Sequence, residues 1–90
     1  MKINDVRIFD AGGDYLDRYT AVIWYGNGNE NVMLGFSSLP YSPMGVSQYC
    51  GEWLGGDDFD ALGKEINIKD LPKDCQDYVN NEIKSIINNR

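Results

Sequence analysis

The sequence predicts an α+β fold: a mainly antiparallel sheet of about four strands with one C-terminal amphipathic helix packed on one face. Short β-branched and aromatic runs separated by glycine-rich turns predict the strands, and a long apolar stripe near the C-terminus predicts the helix. With 90 residues, the chain is too short to divide into two independent cores. We therefore expect residues 1–90 to form a single domain, with one long ordered loop.

The first two strands are predicted before residue 26. Residues 3–9 alternate between apolar and polar side chains, with Val6 and Ile8 on one face. The glycine pair at 12–13 ends this strand because glycine favours turns. Residues 19–25 are almost all β-branched or aromatic, which predicts a central strand that is covered on both faces.

Two further strands follow in the sequence. The Asn27-Gly28 pair is typical of a tight hairpin turn, so residues 32–36 should pair antiparallel with the preceding strand. Residues 64–69 alternate as a short half-buried strand, with Ile66 and Ile68 directed inward.

The C-terminal helix is predicted to start at Asp70-Leu71-Pro72, with Asp70 as its cap and the proline in its first turn. Apolar residues then recur every three to four positions, which is the spacing of one helix face. This face contains Leu71, Cys75, Tyr78, Val79, Ile83, Ile86 and Ile87.

Residues 37–63 contain prolines and glycines that interrupt any regular pattern, so we expect an irregular loop. The loop is too apolar to be disordered. Its rings and aliphatic side chains complete the core on the sheet face opposite the helix or form a contact surface for a partner. Both can hold, with the apolar residues packed inward and the acids turned outward. They include Leu39, Tyr41, Met44, Val46, Tyr49, Trp53, Leu54, Phe59 and Leu62.

The negative charge is concentrated in the middle of the chain. The net charge is −6, and residues 19–63 contain five acids and no base, whereas residues 64–90 balance five acids with five bases. Without clustered bases we expect no direct nucleic-acid binding, and a protein partner should be basic. The chain also has neither an apolar run of membrane-spanning length nor an apolar leader, so we expect a cytoplasmic protein without membrane association.

The sequence offers no motif that is specific for catalysis or for a metal. The chain has no histidine, and no base lies within a dozen residues of Cys50 to activate its thiol. We expect both cysteines to be free thiols. The aspartates at 10, 14 and 17 and at 57, 58 and 60 do not match the calcium loop pattern. We therefore predict no cofactor, no metal and no catalytic residue, although converging carboxylates stay an alternative.

Two candidate sites follow. The first is a partner-binding surface in the 38–60 loop, with ring anchors and acids that attract a basic partner: Tyr41, Tyr49, Trp53, Glu52, Asp57, Asp58 and Asp60. The second is a polar pocket of a small enzyme or ligand-binding domain around the Gly-Gly-Asp turn: Asp10, Asp14, Asp17, Arg18 and Gln48. A third possibility, an acidic mimic of nucleic acid, is weakened by the balanced charge of the C-terminal helix.

Three stretches resemble a family of small bacterial, phage and mobile-element proteins. They are Arg7-Ile8-Phe9-Asp10-Ala11-Gly12-Gly13 with Asp17-Arg18-Tyr19-Thr20, then Leu34-Gly35-Phe36-Ser37 with Pro40, Pro43, Gly45 and Gln48, and finally Leu62-Gly63-Lys64 with Asp70-Leu71-Pro72, Asp74 and Gln76. Members often have a histidine where this chain has Tyr49, which argues against catalysis here. The resemblance implies a mobile-element context, in which a small acidic protein acts as an inhibitor or host-modulating factor.

Overall fold

The computed structural model describes residues 2–13, 18–26, 30–40 and 49–89, excluding the side chains of Tyr49, Cys50 and Asn89. In these residues a five-stranded sheet lies beside one long helix. The strands are β1 (Ile3–Asp10), β2 (Tyr19–Tyr25), β3 (Asn31–Phe36), β4 (Tyr49–Gly51) and β5 (Lys64–Ile66), and the helix is α1 (Lys73–Asn89). The sheet order is β4-β3-β2-β1-β5, with every pair of neighbours antiparallel. This confirms the predicted α+β fold.

Strand β2 occupies the centre of the sheet, as its β-branched and aromatic composition predicts. Ala21, Val22 and Ile23 are completely buried, although neighbouring side chains on a strand point to opposite faces. Both faces of the sheet are therefore covered. Beyond β2, a backbone hydrogen bond of 2.9 Å from the Tyr25 amide to the Glu30 carbonyl closes the connection to β3.

One face of the sheet packs against α1 and forms the larger core. Its strand residues alternate along each strand, and α1 supplies residues from one helix face. This core contains Ile8, Tyr19, Ala21, Ile23, Val32, Leu34, Phe36, Leu71, Cys75, Val79 and Ile86. Tyr78 and Ile83 pack partly against it, whereas Ile87, predicted on the same stripe, is 45% exposed.

The start of the helix differs from the prediction. Residues Ile68–Asp70 form a 3₁₀ turn rather than the end of a strand, and α1 begins only at Lys73. The Asp70 carboxylate accepts a hydrogen bond of 3.0 Å from the Asn67 amide, so it stabilises the 3₁₀ turn. Asp70 is therefore not the helix cap that its position before Pro72 indicated.

Part of the loop that was predicted to be irregular is regular. Residues Tyr49–Gly51 form β4, which pairs with β3 through Met33–Gly51, Leu34–Cys50 and Gly35–Tyr49. Residues Asp60–Leu62 form a second 3₁₀ turn. Sequence periodicity could not reveal either element, because three residues are too few to show a period.

The other face of the sheet, opposite α1, carries a smaller core. We call it the aromatic face and define it by Phe9, Val22, Trp24 and Met33, against which Trp53, Phe59 and Leu62 pack from the segment that follows β4. Among the described residues, no helix has the length and apolar character needed to cross a membrane.

Candidate functional site

The ring of Phe59 joins the aromatic face to the segment after β4. It stacks nearly parallel on Phe9, with centroids 5.0 Å apart, and on Trp53, with centroids 5.3 Å apart. The edge-to-face contact with Trp24 has a centroid distance of 6.0 Å and an interplanar angle of 86°. Offset stacking and edge-to-face packing are the arrangements that aromatic rings prefer, so Phe59 fixes three other rings at once.

Arg7 extends this cluster towards solvent. Its guanidinium carbon lies 4.3 Å from the centroid of Phe59, within the range of a cation–π contact. The same guanidinium donates two hydrogen bonds to Glu65, of 3.2 Å from Nε and 2.5 Å from the terminal nitrogen. The hydrogen bond from Arg7 lowers the pKa of Glu65, and the same bond raises the pKa of Arg7. The charge of Arg7 is thereby matched by Glu65 across the β1–β5 pair.

Asn31 fixes the segment after β4 to the sheet. Its Oδ1 accepts a hydrogen bond of 2.7 Å from the Trp53 amide, and its Nδ2 donates one of 3.2 Å to the Trp53 carbonyl. The Trp53 indole Nε1 donates to the Gly56 carbonyl at 3.0 Å. The indole ring also lies directly beside Gly55, where an added Cβ would be 2.1 Å from a ring carbon. Gly55 therefore has to lack a side chain for Trp53 to lie here.

An open cavity of about 600 Å³ lies between this segment and the strands. We call it the aromatic cavity. Trp24, Trp53, Leu54 and Phe59 supply its apolar wall, and its polar lining consists of Asn4, Asp5, Arg7, Asn31, Glu52 and Asp57. Three carboxylates and one guanidinium give this lining a formal charge of −2.

The structure brings together three of the residues predicted to bind a partner. Glu52, Trp53 and Asp57 all line the aromatic cavity. Asp58 and Asp60 are exposed nearby, and Asp58 Oδ1 accepts a hydrogen bond of 3.3 Å from the Asp60 amide. Tyr49 belongs to β4, where only its backbone is described, and Tyr41 lies outside the described residues.

Four acids around the cavity form no ion pair within the described part of the chain. The ion pairs found there join Arg7 to Glu65, Arg18 to Asp10 and Lys73 to Asp77. None of these pairs involves Glu52, Asp57, Asp58 or Asp60. Negative charge therefore stays exposed on the side of the sheet that carries the aromatic cavity.

Trp53 and Phe59 complete the core of the sheet face opposite the helix, which was one of the two interpretations of the loop. Phe59 is 9% exposed, and Trp53 is half-buried. The apolar side chain that this segment presents to solvent is Leu54, which is 83% exposed. Trp53 therefore holds the segment in place, and Leu54 is better placed for contact with a partner.

The second candidate site is described only at Asp10 and Arg18. The Asp10 carboxylate accepts hydrogen bonds from Arg18 Nε at 3.0 Å, from a terminal Arg18 nitrogen at 3.1 Å and from the Gly12 amide at 2.8 Å. The Arg18 guanidinium lies 5.0 Å from the ring centroid of Tyr19. These two side chains tie the ends of β1 and β2 together. Asp14, Asp17 and Gln48 lie outside the described residues, so the polar pocket stays a prediction.

Several residues of the aromatic cavity were not predicted as site residues. These are Asn4, Asp5, Arg7, Trp24, Asn31, Leu54, Gly56 and Phe59. The signal that could have found part of this set is the alternation of β1. If Val6 and Ile8 face the helix, then Asp5, Arg7 and Phe9 face the opposite side of the sheet. Two charged side chains beside a phenylalanine on that side would have indicated that this face is partly exposed to solvent.

Comparisons with protein-family models, with curated proteins and with solved structures gave no match. Within the described residues, no group of three or more Cys, Asp or Glu side chains is arranged to hold a metal ion. The chemical groups that the aromatic cavity presents are aromatic rings, carboxylates, amides and the Arg7 guanidinium.

Proposed function

We propose that the protein is a non-enzymatic protein-binding module that engages a basic partner through the side of the sheet formed by the aromatic cavity and residues 51–60. The observation that carries this proposal is the excess of carboxylates around a cavity with aromatic walls. Because the sequence resembles mobile-element proteins, we propose that the protein acts as an inhibitor or host-modulating factor.

The charge of this surface supports a basic partner. Glu52, Asp57, Asp58 and Asp60 are exposed, and none of them forms an ion pair with another described residue. Exposed charge of one sign attracts a partner of opposite sign and raises its association rate, chiefly at low salt.

The apolar part of the surface supports a protein rather than a simple cation as the partner. Interfaces combine an apolar centre with a polar rim, and the exposed Leu54 lines the same cavity as Glu52 and Asp57. Asn31 and the stack of Trp53 on Phe59 hold the backbone beside Leu54. A surface held in this way loses little conformational entropy when it binds.

A site-specific photo-cross-linking experiment tests the proposal. Benzoylphenylalanine is placed at position 54 in one variant and at position 39 in a control, because Leu39 is also an exposed leucine, at 60%. Both variants are irradiated in a lysate of the cells that contain the protein, and adducts are identified by mass spectrometry. We expect an adduct with one basic protein from position 54 and none from position 39.

Charge variants decide whether this adduct reflects the proposed surface. Replacing Glu52→Gln together with Asp57→Asn should reduce the adduct at least several-fold, whereas Asp74→Asn with Glu82→Gln removes the same charge from α1 and should leave it unchanged. Equal adducts from positions 54 and 39, or an adduct that resists removal of both cavity carboxylates, would refute the proposal.

A further inference from the structure

Two arginines in this structure are held by the same combination of groups. Arg18 makes a two-point contact with the carboxylate of Asp10 and lies over the ring of Tyr19. Arg7 makes a two-point contact with Glu65 and lies over the ring of Phe59. A carboxylate beside an aromatic ring is therefore the arrangement by which this protein holds a guanidinium.

The aromatic cavity contains a third set of the same groups. The rings of Trp24 and Trp53 lie in its wall, and the carboxylates of Asp5, Glu52 and Asp57 lie in its lining. In the described part of the chain, the guanidinium–ring contacts involve Phe9, Phe59 and Tyr19 and neither tryptophan. Glu52 and Asp57 take part in none of the ion pairs found there, although Asp57 adds to the larger effect of the Glu65 hydrogen bond in raising the pKa of Arg7.

We infer that the aromatic cavity binds an arginine side chain of the partner, with the guanidinium over a tryptophan ring and in contact with Glu52 and Asp57. This inference rests on the proposed function and names the chemistry of its central contact. The Asp5, Glu52 and Asp57 carboxylates outnumber the Arg7 cation, so the lining disfavours an anion such as phosphate.

Arginine fits this lining better than lysine does. A guanidinium is planar, stacks on aromatic rings and presents a fork of donors that matches a carboxylate, whereas an ammonium is a compact and strongly hydrated charge. Tryptophan is also the ring with the strongest cation–π attraction. The cavity is open to solvent and, at about 600 Å³, has room for one long side chain. The backbone of the partner can then stay outside, beside Leu54.

The two tryptophans of the chain both line this cavity, which provides a direct probe. The ¹⁵N-labelled protein is titrated at constant ionic strength with N-acetyl-arginine-N-methylamide, and the two indole N–H signals are followed by NMR. The matched controls are the lysine derivative and the citrulline derivative, which has the shape of arginine without its charge. We expect the arginine derivative to shift both indole signals saturably at millimolar concentrations, the lysine derivative to bind at least threefold more weakly, and citrulline to produce no saturable shift.

Variants locate the contact. Glu52→Gln with Asp57→Asn should weaken arginine binding by about tenfold, since each exposed carboxylate contact accounts for up to a few-fold in affinity. The variant Asp74→Asn with Glu82→Gln should bind arginine as the unaltered protein does. Both variants keep Trp53, Phe59 and Asn31, so the far-ultraviolet circular dichroism should not change.

Three results would overturn the inference: no saturable shift with arginine, equal binding of citrulline, or equal loss of binding in the two double variants. Failure of this experiment is distinguishable from failure of the proposed function. If arginine does not bind but the adduct at position 54 still depends on Glu52 and Asp57, the surface is a contact site and the partner uses another side chain. If arginine binds but no adduct forms, the cavity is correct and the protein-binding proposal fails.

Discussion

The Asp10 carboxylate accepts three hydrogen bonds, two from Arg18 and one from the Gly12 amide. These bonds join the end of β1 to the start of β2, close to the glycine pair that ends the first strand. Hydrogen bonds from a guanidinium favour the ionised carboxylate, and the bond from Arg18 is the main reason that the pKa of Asp10 is lowered. The Asp10 carboxylate and the backbone hydrogen bond of 2.8 Å from the Ala11 amide to the Arg18 carbonyl therefore link the end of β1 to the start of β2.

The stability contributed by Asp10 should depend on pH. Its pKa is lower in the folded protein than the value of about 3.9 in an unfolded chain, so the ionised form stabilises the fold above that pH. The contribution is lost as the pH falls through the folded-state pKa. Asp10→Asn should therefore lower the thermal unfolding midpoint by a few degrees at pH 7 and by much less near pH 2. An equal decrease at both pH values would contradict this role; Glu82→Gln is the control.

Cys75, in the first turn of α1, is completely buried in the larger core, and its Sγ lies 3.5 Å from the Ser37 carbonyl oxygen and 3.6 Å from that of Ser38. Burial is the main cause that raises the pKa of this thiol to about 11. Only about one thiol in a thousand would then be ionised at pH 8, and it would be shielded from reagents. Cys75 is accordingly a core residue and not a nucleophile.

The reactivity of Cys75 can be measured alone in a Cys50→Ser variant. In the native protein at pH 8, labelling by Ellman's reagent should be at least a hundredfold slower than in the protein unfolded by guanidinium. Labelling at the unfolded rate under native conditions would show that the thiol is accessible and would contradict its position in the core.

At the scale of elements, the approach of β5 to β1 requires a glycine before β5. Gly63 has a φ of 98°, and an added Cβ would lie 2.3 Å from the Asp10 carbonyl oxygen. Gly12 has a similar φ of 99° but no heavy atom within 4 Å of an added Cβ. A side chain at Gly12 would therefore meet an unfavourable φ alone, whereas a side chain at Gly63 would also clash with β1.

Gly12→Ala should decrease the free energy of unfolding by about 1–2 kcal/mol, the cost of a left-handed conformation for alanine. Gly63→Ala should decrease it by about 2 kcal/mol more, because β5 must also move away from β1. Urea denaturation monitored by circular dichroism measures both values. Equal losses in the two variants would contradict the close approach at Gly63.

The hydrogen bonds of Asn31 should hold the segment after β4 against the sheet. Asn31→Ala removes both bonds to the Trp53 backbone and should destabilise the protein by about 1–3 kcal/mol. Because Trp53 would be held less firmly against Phe59, its fluorescence should shift to longer wavelength, while the helical circular dichroism should persist. Asn80→Ala, at an exposed position of α1, is the matched control. An unchanged emission spectrum in Asn31→Ala would show that these bonds do not fix the segment.

The elements that the sequence predicted are those with enough residues to show a period. The stripe from Leu71 to Ile86 indicated α1, and the β-branched run of β2 indicated the central strand. The three-residue strand β4 and the two 3₁₀ turns carry no such signal. Asp70 was misassigned because a carboxylate before a proline is typical of a helix cap, yet its bond to the Asn67 amide depends on a local turn.

The candidate site was only partly predictable for a similar reason. Base-free sequence and aromatic content identified Glu52, Trp53 and Asp57, which do lie together. Arg7 and Trp24 also line the cavity, but they belong to β1 and β2, which are distant from Trp53 in the sequence. They lie beside the segment after β4 because that segment packs on the sheet face opposite the helix. Contacts of this kind depend on tertiary packing, which a single sequence does not reveal.

At the scale of the whole molecule, the sheet has a core on each face. The larger core joins the strands to α1, and the smaller core joins the aromatic face to the segment that contains Trp53 and Phe59. The helix covers one face, and the segment after β4 covers the other, which is the face where we propose that a partner binds. The bases of the chain are concentrated away from residues 19–63, so this surface is negative.

Both binding proposals require that the segment after β4 is fixed against the aromatic face, and nuclear Overhauser effects between ring protons measure that position directly. We predict cross-peaks from the Phe59 ring to the rings of Phe9, Trp24 and Trp53, whose centroids lie 5.0, 6.0 and 5.3 Å from its own. Absence of these cross-peaks, together with unfolded-like chemical shifts over residues 52–60, would contradict a fixed aromatic cavity and every binding proposal that depends on it.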